Sequence, residues 1–171
     1  MTSVLIIGGG GMIGQKLASS FSTNDSLTLL DIGFPNKNQS NARKMIGSVG
    51  DPEIIENSLK DLPEVIYYLA SVVSGEAEAD FSKGWDVNIH AFWAFLIFVK
   101  KLNEKSQGQY KPKIIFTSSI AVFGSPFPNQ IPDDFIAAPR TYYGAQKASC
   151  ELMLNDFSRK GFCAVSYTHL R

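Results

Sequence analysis

Short apolar runs alternate along the chain with stretches whose apolar residues recur every three or four positions. Residues 4–7 form a continuous apolar run, Val4, Leu5, Ile6 and Ile7, and four glycines follow at once. Residues 12–21 then place Ile13, Leu17, Ala18 and Phe21 at helical spacing. A second run, residues 27–30, ends at Asp31, and residues 44–49 predict a short third strand. Pro52 stands where a helix can start, with Ile54, Ile55 and Leu59 as its apolar face. Residues 65–69 and 114–117 predict two more strands, with one long helix between them over about 77–102. A last helix is predicted over about 142–158, and residues 163–165 begin a sixth strand. Strands that are apolar throughout, separated by helices, require a parallel sheet covered on both faces. The pattern therefore predicts an α/β, doubly wound sheet with right-handed connections, which binds ligands at the carboxyl ends of its strands.

Composition narrows this little. The 171 residues are 44% hydrophobic and 19% charged, with sixteen basic residues against sixteen acidic ones. No basic stripe points to nucleic acid or to an anionic membrane. The longest apolar run, about residues 89–99, is well short of the roughly 18 residues of a membrane span. The N-terminus lacks a basic region and a cleavage site, so a cytoplasmic protein without a signal peptide is expected. Cys150 and Cys163 have no metal-ligand spacing and read as reduced structural residues. No metal is expected.

The glycines carry the first chemistry. Gly9, Gly11 and Gly14 fit G-x-G-x-x-G, and Gly8, Gly11 and Gly14 fit G-x-x-G-x-x-G. Either spacing lets the backbone turn tightly and approach a pyrophosphate at a helix N-terminus, where free N–H groups and a partial positive charge await an anion. Asp31, about 20 residues further on, is the acidic group expected to accept hydrogen bonds from ribose hydroxyls. It would repel a 2′-phosphate, so NAD is favoured over NADP.

Tyr143 and Lys147 stand four residues apart at a helix start and share one face. A tyrosine with its ordinary pKa of about 10 is a poor base at neutral pH. A nearby ammonium stabilises the phenolate, and Tyr143 could then take the proton of an alcohol as its carbon gives up hydride. Thr117-Ser118-Ser119 puts hydroxyls at the ligand-binding edge of the fifth strand, where Ser119 can hold the reacting oxygen. Tyr142 lies off the face shared with Lys147.

These motifs, with Gly50-Asp51, Tyr68-Leu69-Ala70-Ser71, Asn88 and residues 118–124, resemble in order and spacing the extended branch of the short-chain dehydrogenase/reductase family, of NAD-dependent epimerase/dehydratase type. The resemblance implies a Rossmann-type fold. It implies Ser119, Tyr143 and Lys147 as catalytic residues. It implies Gly8, Gly11, Met12, Ile13, Gly14, Asp31, Asp51, Leu69, Ala70, Ser71, Ser74, Asn88, Tyr143 and Lys147 as the NAD site. Asp51 would contact the adenine, and Asn88 would support Lys147 through water. Residues 71–81 and 116–124 further resemble enzymes that oxidise a small sugar acid, D-erythronate, at C2 with NAD. A nucleotide-sugar epimerase or dehydratase, and a dinucleotide-sensing protein without catalysis, are the alternatives.

Family members of this branch run to about twice this length, with a C-terminal substrate domain following the cofactor domain. The cofactor domain is accordingly expected over 1–165. Residues 166–171 match nothing in the resemblance and read as a foreign tail, so His169 is not counted as a ligand or base. His90 is expected to pack within its apolar helix. That helix is apolar on nearly every side, so it must bury a second face; the resemblance implies a homodimer through the helices containing Phe92 and Tyr143, with burial under the C-terminal domain as the alternative.

Overall fold

The computed structural model describes residues 2–22, 25–35, 42–132 and 134–170, with side chains described as far as residue 166. Six parallel strands form one sheet in the order β3-β2-β1-β4-β5-β6, a doubly wound, Rossmann-type arrangement. The strands are β1 (Ser3–Ile7), β2 (Ser26–Asp31), β3 (Arg43–Ile46), β4 (Val65–Tyr68), β5 (Lys113–Ser119) and β6 (Ala164–Leu170). The helices are α1 (Met12–Ala18), α2 (Pro52–Leu59), α3 (Ser74–Ala79), α4 (Phe81–Trp85), α5 (Ala91–Lys105) and α6 (Tyr142–Arg159).

Alternation along the central strands divides the core between the two faces. Leu5 and Ile7 face one side with Ile66, Tyr68, Ile114 and Phe116, against Phe92, Phe95, Leu96 and Val99 of α5 and Leu154 and Phe157 of α6. Val4, Ile6 and Leu29 face the other side, against Ala18 of α1. Strands buried on both faces explain why the apolar runs are continuous rather than alternating.

The single helix expected over 77–102 is three segments and a wide turn. Asp80 is extended (φ −129°, ψ 92°) and caps α4, its carboxylate accepting from Lys83 N at 3.0 Å. A π-helical turn over Asp86–His90 then joins α4 to α5. A π turn inserts a residue and rotates the helix face. His90 is consequently exposed, with its side chain 68% accessible and paired to Asp86 at 3.0 Å, not packed among apolar neighbours as the sequence suggested. The boundary expected at 165 is not a break in the backbone: β6 runs on, and Ser166–Leu170 stay in register with Ile115–Ser119 of β5. Cys150 and Cys163 are free and buried. Among the described residues no helix is long and apolar enough to cross a membrane, and no cluster of His, Cys, Asp or Glu could hold a metal.

Candidate active and cofactor site

The carboxyl ends of β1, β2, β4 and β5 bring the sequence-predicted residues to one edge of the sheet. The first glycine turns the chain: Gly8 has φ +91°, and a Cβ there would stand 2.7 Å from Ala70 N. Gly8 N donates to Leu30 O at 2.8 Å, and Leu69 N and Ala70 N both donate to Ile7 O, so the loops after β1 and β4 lie against each other. At Gly14 a Cβ would come within 2.3 Å of Gly8 O, which is why the helix can pack so close to the loop.

The residues of this loop fit the pyrophosphate of a dinucleotide. A Cβ on Gly11 would meet only Gly8 O, at 3.5 Å, so the backbone is open to a ligand's close approach. Gly11 caps α1 without a side chain, and such a helix start leaves its first-turn N–H groups, those of Met12 and Ile13, to an anion. Met12 is 72% exposed and Ile13 less so. Asp31 Oδ2 accepts from Gly10 N at 2.8 Å, while Oδ1, among the described residues, has a long contact, 3.4 Å, with Gly33 N. The carboxylate thus fastens the glycine loop to β2 and keeps acceptor capacity. Asp51 caps α2, accepting from Glu53 N at 2.9 Å, and is exposed. Ser74, the first residue of α3, is exposed, and Leu69 and Ala70 are half-buried.

Ser119, Tyr143 and Lys147 converge. Thr141 caps α6 by accepting from Gly144 N at 3.0 Å, which sets Tyr143 and Lys147 on successive turns of that helix. Burial raises the Tyr143 pKa above its ordinary value, and the neighbouring Ser71 and Ser119 side chains work in the opposite direction. Lys147 is almost wholly buried, and its Nζ donates to Thr117 O at 2.9 Å. That nitrogen lies 4.7 Å from the Phe116 ring centre and 5.6 Å from that of Tyr143. Burial brings the Lys147 pKa down to about 8, against the opposing pull of Cys150 and Glu151.

Asn88, in the π turn, bonds directly to Ser71, Val72 and Gln146. Its Oδ1 accepts from Val72 N at 2.8 Å and from Ser71 Oγ at 3.0 Å; its Nδ2 donates to Val72 O at 3.0 Å and to Gln146 Oε1 at 2.7 Å. Four participants escaped the sequence analysis: Thr117 through its carbonyl, Gln146, Glu78, which accepts from Tyr143 N at 3.3 Å, and Glu151, which accepts from the buried Ser118 hydroxyl. A buried polar residue inside Tyr143-x-x-x-Lys147 was the one available signal, and it fell on Gln146.

Comparison with known proteins agrees with this geometry. The chain is 36% identical to a D-erythronate dehydrogenase of Cupriavidus necator and 35% identical to one of Haemophilus influenzae, over 94% and 93% of its length. It spans about half the length of these curated relatives, 52% and 51%. The crystal structure of a nucleoside-diphosphate-sugar epimerase from Agrobacterium tumefaciens superposes with a TM-score of 0.88 at 38% identity, over 99% of this chain and 52% of that one. Residues 4–171 match the sequence model of the NAD dependent epimerase/dehydratase family; with the fold and the loop that this cofactor requires both in place, the chain belongs to that family, and its cofactor is NAD.

Proposed function

We propose that the protein is an oxidoreductase of the short-chain dehydrogenase/reductase type that oxidises a secondary alcohol of a small sugar acid, D-erythronate or a close analogue. The observation that carries this is the meeting of Ser119, Tyr143 and Lys147 beside the NAD loop. Gly8, Gly11, Met12, Ile13 and Gly14 hold the pyrophosphate, Asp31 the adenosine ribose, and Asp51 the adenine. Leu69, Ala70, Ser71, Ser74 and Asn88 line the rest of the cofactor cleft. Bound NAD supplies the hydride acceptor and a positive charge near the phenol. Ser119 orients the alcohol oxygen, and Tyr143 takes its proton as general base. Lys147, mostly protonated at neutral pH with its pKa at about 8, stabilises the phenolate and holds the nicotinamide ribose. The relatives named D-erythronate dehydrogenase support this choice of substrate. The enzyme works in the cytoplasm as a homodimer.

The likeness to the Agrobacterium epimerase favours a second reading, nucleotide-sugar epimerisation, in which NAD is reduced and reoxidised within one turnover. A dinucleotide sensor has no use for the complete trio. One assay separates the two reactions. Purified protein given NAD and D-erythronate should accumulate NADH. Interconversion of a UDP-sugar with no net NADH, and none from the sugar acid, would replace the dehydrogenase by the epimerase.

A further inference from the structure

Gln146 is fully buried on α6, between Tyr143 and Lys147, yet its amide is only half served. Its Oε1 accepts from Asn88 Nδ2 at 2.7 Å, while its buried Nε2 has no partner among the described residues. Turning the amide end for end would not mend this. Asn88 Oδ1 accepts from Val72 N at 2.8 Å and Asn88 Nδ2 donates to Val72 O at 3.0 Å. That reciprocal pair holds the Asn88 amide in one orientation, with an N–H toward Gln146, and a reversed Gln146 amide would set donor against donor. Gln146 Nε2 instead lies against Gly84 of α4, where a Cβ would stand 2.9 Å from it and 3.2 Å from the Ala77 Cβ. Two small residues of α3 and α4 thus leave room for the amide. An unmade buried donor costs more than a typical hydrogen bond returns, so the Gln146 amide does not stabilise the fold on balance.

We propose that Gln146 is a positioning residue: its bond to Asn88 ties the helix carrying Tyr143 and Lys147 to the loop after β4, setting the two sides of the NAD site in register while lowering the stability of the fold. Asn88 passes the tie on, since it bonds Ser71 Oγ at 3.0 Å and both backbone groups of Val72. Glu78 and Phe81 also hold the first turns of α6, but they sit on α3 and α4. The Gln146 bond is the one of these contacts that runs through to the loop after β4. Gln146 itself is wholly buried and acts through Asn88, not on a ligand. The inference rests on the placing of NAD proposed above, and not on the choice of substrate.

Methionine, of like length and without a hydrogen-bonding amide, separates positioning from packing. Gln146→Met removes the unmade Nε2 donor and leaves one unmade N–H on Asn88, whose other hydrogen stays on Val72 O. In denaturant unfolding of the full chain its midpoint should equal or exceed that of the wild type. Calorimetry should show the same variant binding NAD about fivefold or more weakly, a coupling within the range carried by residues that touch no ligand. Gln146→Glu, measured at pH 6 where burial keeps the acid protonated, offers Asn88 an acceptor at the same reach. It should return NAD affinity to within about twofold of the wild type. An earlier unfolding midpoint for the methionine variant, failure to fold included, overturns the proposal, because Gln146 would then stabilise the core. Unchanged NAD affinity in the methionine variant overturns it too, as does a glutamate variant that binds NAD as weakly as methionine does. Neither measurement needs turnover. A stable, weakly binding methionine variant of a protein inactive on sugar acids keeps this inference and removes the proposed reaction. An active dehydrogenase whose NAD affinity ignores Gln146→Met does the reverse.

Discussion

Asp31 serves the glycine loop before it serves any ligand, since Oδ2 holds Gly10 N at 2.8 Å. Cofactor choice and loop order are therefore coupled in one side chain. Calorimetric titration should show NAD bound more tightly than NADP by at least about tenfold, because a carboxylate repels the 2′-phosphate. Asp31→Ala should narrow that ratio and also weaken NAD binding, since the loop loses its anchor; NADP binding as tightly as NAD in the unmodified protein would refute the assignment. At Tyr143, replacement by phenylalanine removes only the hydroxyl. Turnover should fall by about 10²–10⁴, with NAD affinity nearly unchanged, and a loss under roughly tenfold would exclude the general-base role. Lys147 gives a stability test. Its folded pKa, about 8, lies below its ordinary 10.5, so folding opposes its charged form. That penalty is complete below about pH 8 and fades as pH rises toward 10.5, where the unfolded chain also loses the proton. Lys147→Met should therefore raise the unfolding free energy at pH 7 by about 1–3 kcal/mol, less than the full shift because Thr117 O loses its donor. Denaturant unfolding at several pH values reads this out, and the gain should shrink between about pH 8 and 10.5. The tyrosine and lysine were legible in the sequence because their relation is local, four residues on one helix. The bond between Asn88 and Gln146 joins positions 58 apart, and no spacing rule reaches that far.

The segment from α3 to α5 decides whether those residues meet, and here the apolar pattern alone misled. Ala77 to Leu102 keeps enough helical periodicity to read as one rod, yet Asp80 turns the chain and the π turn places Asn88 inward and His90 outward. An aspartate three positions before Lys83 was the local sign of a new helix start. The interruption has a structural return. Glu78 reaches Tyr143 N, Phe81 packs edge-on against Tyr142 at 5.1 Å, and Asn88 bonds Gln146, so three points of the broken helix grip the first turns of α6. Asn88 is the deepest of them. Asn88→Ala would strand the Val72 N–H and carbonyl and the Gln146 amide in the interior. We expect a loss of about 2–4 kcal/mol in denaturant unfolding and a larger fall in activity than the same destabilisation produces when it comes from Leu59→Ala on α2, in the core and away from this network. Equal activity losses at matched stability would mean that Asn88 only holds the fold.

At the scale of the whole molecule, the doubly wound parallel sheet, its cover on both faces and the glycine loop followed from apolar runs and punctuation, because strands that are apolar throughout and separated by helices leave few arrangements; the order of the strands came from the structure. What α5 does with its outer side did not follow. Its inner residues, Phe92, Phe95, Leu96 and Val99, fill the core. On the other side Trp93 is 47% exposed and Leu152 of α6 is 71% exposed. The chain covers part of that surface itself: Trp93 meets Phe157 edge-on at 5.8 Å, and Lys100 and Lys101 lie over the Phe162 and Phe98 rings. The remainder, spread over α5 and α6, is suited to a two-fold partner, where one patch meets its own copy. A stable dimer needs about 800 Å² from each subunit, and a helix pair supplies an area of that order only if both outer faces are used. Light scattering should therefore report twice the chain mass at micromolar concentration. Trp93→Glu with Leu152→Glu puts two charges on each side of the axis and should yield monomers with an unchanged circular dichroism spectrum. Because α6 carries Tyr143 and Lys147, the monomers should also bind NAD less tightly. A wild-type chain that stays monomeric, or a double variant that still dimerises, would move the interface elsewhere.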